Sequence, residues 1–226
     1  MQGRIVRHRL ADRLYHWLIV AAVLTLMGTA FLPILGIKFE WDTIHWVAGL
    51  VLAAAVLFHV VRALGWLDVR AMGVGRADLV DVWRRARRLF GRGGPAPGRG
   101  GKYLLAQRAY HAYIALALLT MIVTGIMMMT KLDTPFWQRN PYWLPVESWG
   151  VVYLIHGYVA MSLITVIMVH IYFAVRPDKW WYLRSMVVGW ISRGDYDAHF
   201  DPARWPATGE GEAAPGRSGL ASGPAE

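Results

Sequence analysis

The chain has 226 residues, 56% of them hydrophobic and 17% charged, with a formal net charge of +9 and a mean hydropathy of +0.33. A water-soluble domain of this length covers its surface with more charge than that, so the composition points to a membrane protein with its cations gathered outside the bilayer. The absence of cysteine excludes c-type haem attachment, iron–sulfur ligation, cysteine-zinc sites and disulfides, leaving histidine and methionine to hold any redox centre.

Four apolar stretches, residues 14–35, 43–61, 109–130 and 148–175, are long enough for helices across a hydrocarbon core of about 30 Å. The first follows Arg4, Arg7, Arg9 and Arg13; it is too long for the apolar region of a signal peptide and lacks a small-x-small cleavage site, so it is read as a retained span. The expected fold is an all-α membrane bundle of four spans with interfacial amphipathic helices, its transmembrane domain covering residues 1–205. Segment 62–108 holds eleven basic residues against three acids, whereas the two short loops, 33–42 and 131–147, together hold three against four. The positive-inside rule then puts both termini and the long basic loop in the cytoplasm. Twelve tryptophans and ten tyrosines suit the two membrane interfaces.

Within the basic loop, Leu79, Val82, Trp83, Ala86 and Leu89 or Phe90 recur at helical spacing with arginines between them, predicting an amphipathic helix over 76–90 on the inner leaflet. Residues 91–101 are rich in glycine and proline and read as a connector. Residues 179–193 predict a second interfacial helix, and 206–226 a disordered tail. No internal repeat of high identity is evident.

Six of the eight histidines, His16, His45, His59, His111, His156 and His170, lie in or at the ends of the spans, where ionisable residues are costly and mark functional sites. His45 and His59 are 14 residues apart, as are His156 and His170. That is close to four helical turns, so each pair shares a helix face, its members separated by roughly 21 Å. Spans two and four run the same way. His45 and His156 therefore share the outer level, while His170 shares the inner level with His59 and with His16. His45 and His156 can clamp an outer iron; His16–His170 and His59–His170 are both possible inner pairs. Gly49 and Gly157 offer gaps where a macrocycle could lie against a helix, and Arg9, Arg13 and Arg62 are placed for the propionates of an inner haem. His111 is either an interfacial histidine or part of a quinone pocket, His199 is expected in solvent, and Met127, Met128 and Met129 read as lipid-facing or packing residues.

These residues resemble the cytochrome b (gamma) subunit of membrane-bound formate dehydrogenases, within the wider group of hydrogenase cytochromes b and bacterial cytochrome b561. The resemblance rests on Arg13–Leu14–Tyr15–His16–Trp17, His45-x-x-x-Gly49, Gly101–Lys102–Tyr103-x-x-x-Gln107, His156, His170 and Met186-x-x-Gly189-x-x-Ser192–Arg193, and runs to about Trp205. It implies two b haems, the outer on His45 and His156, the inner on His16 and His170. It also implies a menaquinone or ubiquinone site beside the inner haem, for which Lys102, Tyr103, Gln107 and His111 are the candidates. Leu104 stands where the formate dehydrogenase pattern has asparagine, and His59 has no counterpart there, which suits it as a neighbour of quinone or propionate.

The expected function is electron transfer between a partner oxidoreductase, made of iron–sulfur and catalytic subunits on the outer face, and the quinone pool of a bacterial inner membrane. Competing readings are a free-standing cytochrome b561-like carrier between quinone and superoxide, and a histidine-lined proton or metal-ion transporter. The last predicts carboxylates inside the spans; Asp and Glu are absent from all four stretches.

Overall fold

The computed structural model describes residues 3–66, 76–91, 102–103 and 105–206; most of the expected connector, the tail from 207 and Leu104 lie outside them. The order is β1 (Arg4–Val6), α1 (Leu10–Phe31), α2 (Trp41–Trp66), α3 (Arg76–Leu89), α4 (Leu105–Met129), α5 (Val146–Val175), α6 (Trp180–Val188), β2 (Trp190–Ser192) and α7 (Arg193–His199). Among the described residues α1, α2, α4 and α5 are long and apolar enough to cross a membrane. Large side chains such as Leu57, Leu64, Leu116, Leu154 and Met168 stand exposed along them, which only a lipid surround makes favourable. The chain is a multi-pass membrane protein.

Helix ends depart from the apolar stretches for local reasons. α1 starts at Leu10, four residues before the expected span, because the Asp12 carboxylate accepts the backbone N–H of Arg9 at 3.1 Å and caps the first turn. It ends at Phe31 rather than at residue 35: Pro33 has no N–H to continue the ladder, and the chain turns at Gly36 with φ 85°. α2 starts two residues earlier than expected and runs past residue 61 to Trp66.

α1 packs chiefly on α2 and α4 on α5, and contact between α2 and α4 joins the two hairpins. Ala22, Leu52, Ala117, Leu118 and Leu163 form the core. The alanines let backbones approach where lipid gives no hydrophobic drive for helix association. At the end remote from the termini, Trp137 Nε1 donates to Met129 O at 3.0 Å and Trp149 Nε1 to Pro141 O at 3.0 Å. These bonds pin the 130–145 loop to the bundle.

The opposite end carries a small cap. β1 pairs antiparallel with β2, with Arg4 opposite Ser192, Ile5 opposite Ile191 and Val6 opposite Trp190. Ile5, Ile191, Tyr196 and Phe200 form its core, with Trp181, Tyr182 and Trp205 packed around them. This corrects one expectation. The helix predicted over 179–193 is interrupted at Gly189, whose φ of 90° ends α6 and turns the chain into β2. Arg7, one of the arginines ahead of the first span, is only 3% exposed. Its guanidinium lies 4.7 Å from the Tyr182 ring centroid and 5.1 Å from that of Phe200, a cation–π cage. α3 forms where the arginine-rich periodicity predicts it.

Candidate haem-binding histidines at two levels of the bundle

On α2, Ala48, Leu52 and Ala55 are buried in one stripe, and the helical period carries that stripe to His45 at one end and His59 at the other. On α5, Trp149, Val152 and Leu163 are buried, and the same period sets His156 and His170 on their face. His16, His45, His59 and His156 are half-buried; His170 and His111 are more exposed.

At the level remote from the cap, Nδ1 of His45 lies 2.8 Å from Thr29 Oγ1, and Nδ1 of His156 lies 2.8 Å from Thr124 Oγ1. Both threonines are buried, at 4% and 6% exposure. The two histidines are near enough for their charges to interact. Nothing lies within 4 Å of where a side chain would begin on Gly49 or Gly157, and a side chain on Gly125 would meet only His156 Cε1 at 3.7 Å. A flat macrocycle between α2 and α5 is compatible with these surfaces.

At the cap level, Tyr15 stacks on His59 with centroids 4.6 Å apart, and His59 meets His111 edge-on at 6.1 Å. Tyr110 stacks on His170 at 5.0 Å, and His16 lies within electrostatic reach of His170. Nδ1 of His16 and Nδ1 of His59 are buried without a hydrogen-bond partner. Both expected inner pairings thus keep an unsatisfied imidazole nitrogen.

The cation candidates have separate surroundings. Arg62 Nη2 donates to Asp12 Oδ1 at 2.6 Å, bracing α2 against α1. Arg13 Nη1 donates to Val187 O and ties α1 to the cap. The Arg9 side chain is exposed at the start of α1. Lys102 and Tyr103 lie against the cap: Arg7 Nη2 donates to Lys102 O at 3.2 Å, and Lys102 Nζ sits 6.0 Å from the Trp205 ring centroid. Burial, followed by the Arg7 charge, pulls the Lys102 ammonium below its ordinary pKa; burial raises the Tyr103 phenol. Gln107 and His111 follow one turn apart on α4. His199, expected in solvent, is exposed but lies 4.7 Å from the Trp181 ring centroid. Met129 is buried, a packing residue.

Sequence reasoning missed Thr29 and Thr124, and with them an internal correspondence. Arg13-x-Tyr15-His16 opens α1 and Arg108-x-Tyr110-His111 opens α4; Thr29 and Thr124 each follow the histidine by 13 residues. Each threonine then meets the first histidine of the next span, and each tyrosine stacks on the second. The two hairpins are built to one plan.

The donors fit haem better than a bare ion. They are imidazoles set in pairs, with no thiolate, and among the described residues no three histidine or acidic side chains converge as a metal-ion cage. Paired imidazoles within an apolar helical bundle are a donor set suited to a b-type haem. The family profile of prokaryotic cytochrome b561 matches residues 7–189, and the chain belongs to that family: it is a membrane electron carrier of the b-haem type. It is also 29% identical over 210 residues, covering 84% of this chain and 77% of the relative, to the formate dehydrogenase cytochrome b556 subunit of Haemophilus influenzae.

Proposed function

We propose that the chain is the dihaem subunit of a quinone-linked oxidoreductase complex in a bacterial inner membrane. In this reading His45 and His156 hold one haem on the outer side, and His16 and His170 hold the other on the cytoplasmic side. The observation that carries it is the pair of 14-residue histidine spacings on α2 and α5, whose members continue the buried stripes of the bundle. The edge-on contact of His59 with His111, a quinone candidate, supports a place beside the quinone for His59, with His16 as partner of His170. The excess of cations at the terminal end supports the N-in, C-in orientation.

Bound haem supplies one-electron redox chemistry; axial ligation, burial and orientation belong to the chain. Quinone reduction also consumes two protons. Lys102, Tyr103, Gln107 and His111 are the groups proposed to hold the quinone head and deliver them from the cytoplasmic side. Lys102, with its ammonium destabilised by burial and by Arg7, releases its proton more readily than a solvated lysine.

The relative's name, a formate dehydrogenase subunit, supports a larger catalytic partner; the proposal adds iron–sulfur centres on the outer face that feed the outer haem. The match to prokaryotic cytochrome b561 keeps a second reading open, a free-standing carrier; copurification with a larger oxidoreductase separates the two. The central test is pyridine haemochrome content with reduced-minus-oxidised spectra of the wild type, His45→Ala and His170→Ala. Two b haems in the wild type, one lost or perturbed in each variant, are expected. A well-folded wild type without haem would overturn the proposal.

A further inference from the structure

We infer that Thr29 and Thr124 are twin positioning residues of the outer haem: each hydroxyl accepts the Nδ1 proton of its histidine, so His45 and His156 both present Nε2 to the iron. The inference rests on the reading of these two histidines as axial ligands. A threonine hydroxyl has a single proton, and here it is spent on the helix's own backbone. Thr29 Oγ1 donates to Thr25 O at 2.9 Å, with Leu26 O at 3.0 Å as the other acceptor in reach. Thr124 Oγ1 donates to Thr120 O at 2.7 Å, with Met121 O at 3.3 Å. Toward the imidazole each oxygen therefore has only lone pairs to offer. Nδ1 must carry the proton, and Nε2, across the ring, is left with the free lone pair. A hydrogen bond to the remote ring nitrogen fixes tautomer and ring orientation and makes the coordinating nitrogen more basic.

The internal correspondence sharpens this. Thr29 on α1 serves His45 on α2 as Thr124 on α4 serves His156 on α5, with both oxygen–nitrogen distances 2.8 Å. The two axial ligands are thus matched in tautomer and basicity. Neither the His16 nor the His59 ring has such an acceptor at Nδ1, so the inner level lacks this matched pair.

The test uses the full-length chain with Thr29→Val and Thr124→Val, which keep side-chain shape and remove the acceptor, beside Thr29→Ser and Thr124→Ser. In the haem-free chain, imidazole ¹⁵N shifts are expected to report the Nδ1–H tautomer at His45 and His156, lost at the affected histidine in each valine variant. In the haem-loaded chain each valine variant is expected to weaken outer-haem retention by roughly tenfold. Its potential should rise by up to about 59 mV, a tenfold change in the one-electron equilibrium, because a less basic ligand favours ferric iron less. The inner haem should stay put, the two valine variants should act alike, and the serine variants should behave as wild type. Valine variants that retain tautomer, haem and potential would overturn the inference, as would serine variants that fail like valine. A wild type that binds no haem would sink the dihaem reading instead, while the ¹⁵N shifts of the haem-free chain would still decide the role of the threonines.

Discussion

Substituting Gly189 by alanine is expected to unfasten the N-terminal arm without disturbing the candidate haem-binding histidines. Gly189 sits at φ 90°, a left-handed conformation that costs a residue with a side chain roughly 1–2 kcal/mol. The new Cβ would also lie 2.9 Å from the carbonyl oxygen of His8 and 3.2 Å from Arg13 Nε. The first of these is backbone and cannot swing aside, so the arm itself has to move. That movement strains the bonds from Arg7 N and His8 N to Gly189 O, now 2.9 and 3.0 Å, each worth about 0.5–1.5 kcal/mol net. Together these give about 3 kcal/mol, which lowers hydrogen-exchange protection of the Arg7 and His8 amides by roughly a hundredfold. The assay is exchange followed by mass spectrometry on peptides covering residues 3–9, with haem content as the control. Unchanged protection in Gly189→Ala would refute the reasoning, since strain and close contact would then cost the arm nothing.

Two further outcomes are expected of the cap. Burial, then the charges of Arg7 and Lys102, push the His8 imidazole down to about 3, and Arg7 Nε donates to His8 Nε2 at 3.2 Å, as it can only to the neutral ring. A base held neutral by folding takes up its proton on unfolding. The cap should therefore keep full stability above the ordinary histidine value of about 6.5 and lose it as pH falls from there toward 3, by at most about 1.4 kcal/mol per pH unit. Exchange measured across that range should be steeper in the wild type than in His8→Gln, and equal slopes would contradict the assignment. Ser192 Oγ caps α7 by accepting from Asp195 N at 3.1 Å. Ser192→Ala should cost about 1 kcal/mol, read as a lower thermal midpoint for exposure of the buried Tyr196.

Membrane spans are legible in a sequence because twenty apolar residues in a row have few other uses, and α1, α2, α4 and α5 contain them. The helical period also sufficed for α3 and for the two histidine levels, since position along a regular helix follows from residue number alone. The cap was not legible. Strands of three residues carry no readable alternation, and β1 meets β2 only because the folded bundle brings the two ends of the described chain to one place. In segment 179–193 the apolar residues suggest one helix and mask Gly189, a residue type that ends helices when it takes a positive φ. Thr29 and Thr124 escaped for another reason. A threonine inside an apolar span is ordinary, and only its repeated distance from the Arg-x-Tyr-His segment sets these two apart.

Pairing of β1 with β2 also sets an order of assembly. During synthesis Arg4–Val6 emerges first, and its partner Trp190–Ser192 only after α5 and α6 have been made. Until then the first strand has an open edge, and Arg7 lacks the rings of Tyr182, Phe200 and Trp205 that cage it. A chain interrupted before residue 190 keeps both exposed, however well its earlier helices have entered the membrane. Closure of the cap is thus a checkpoint, passed only by a polypeptide whose α5 and α6 are in place.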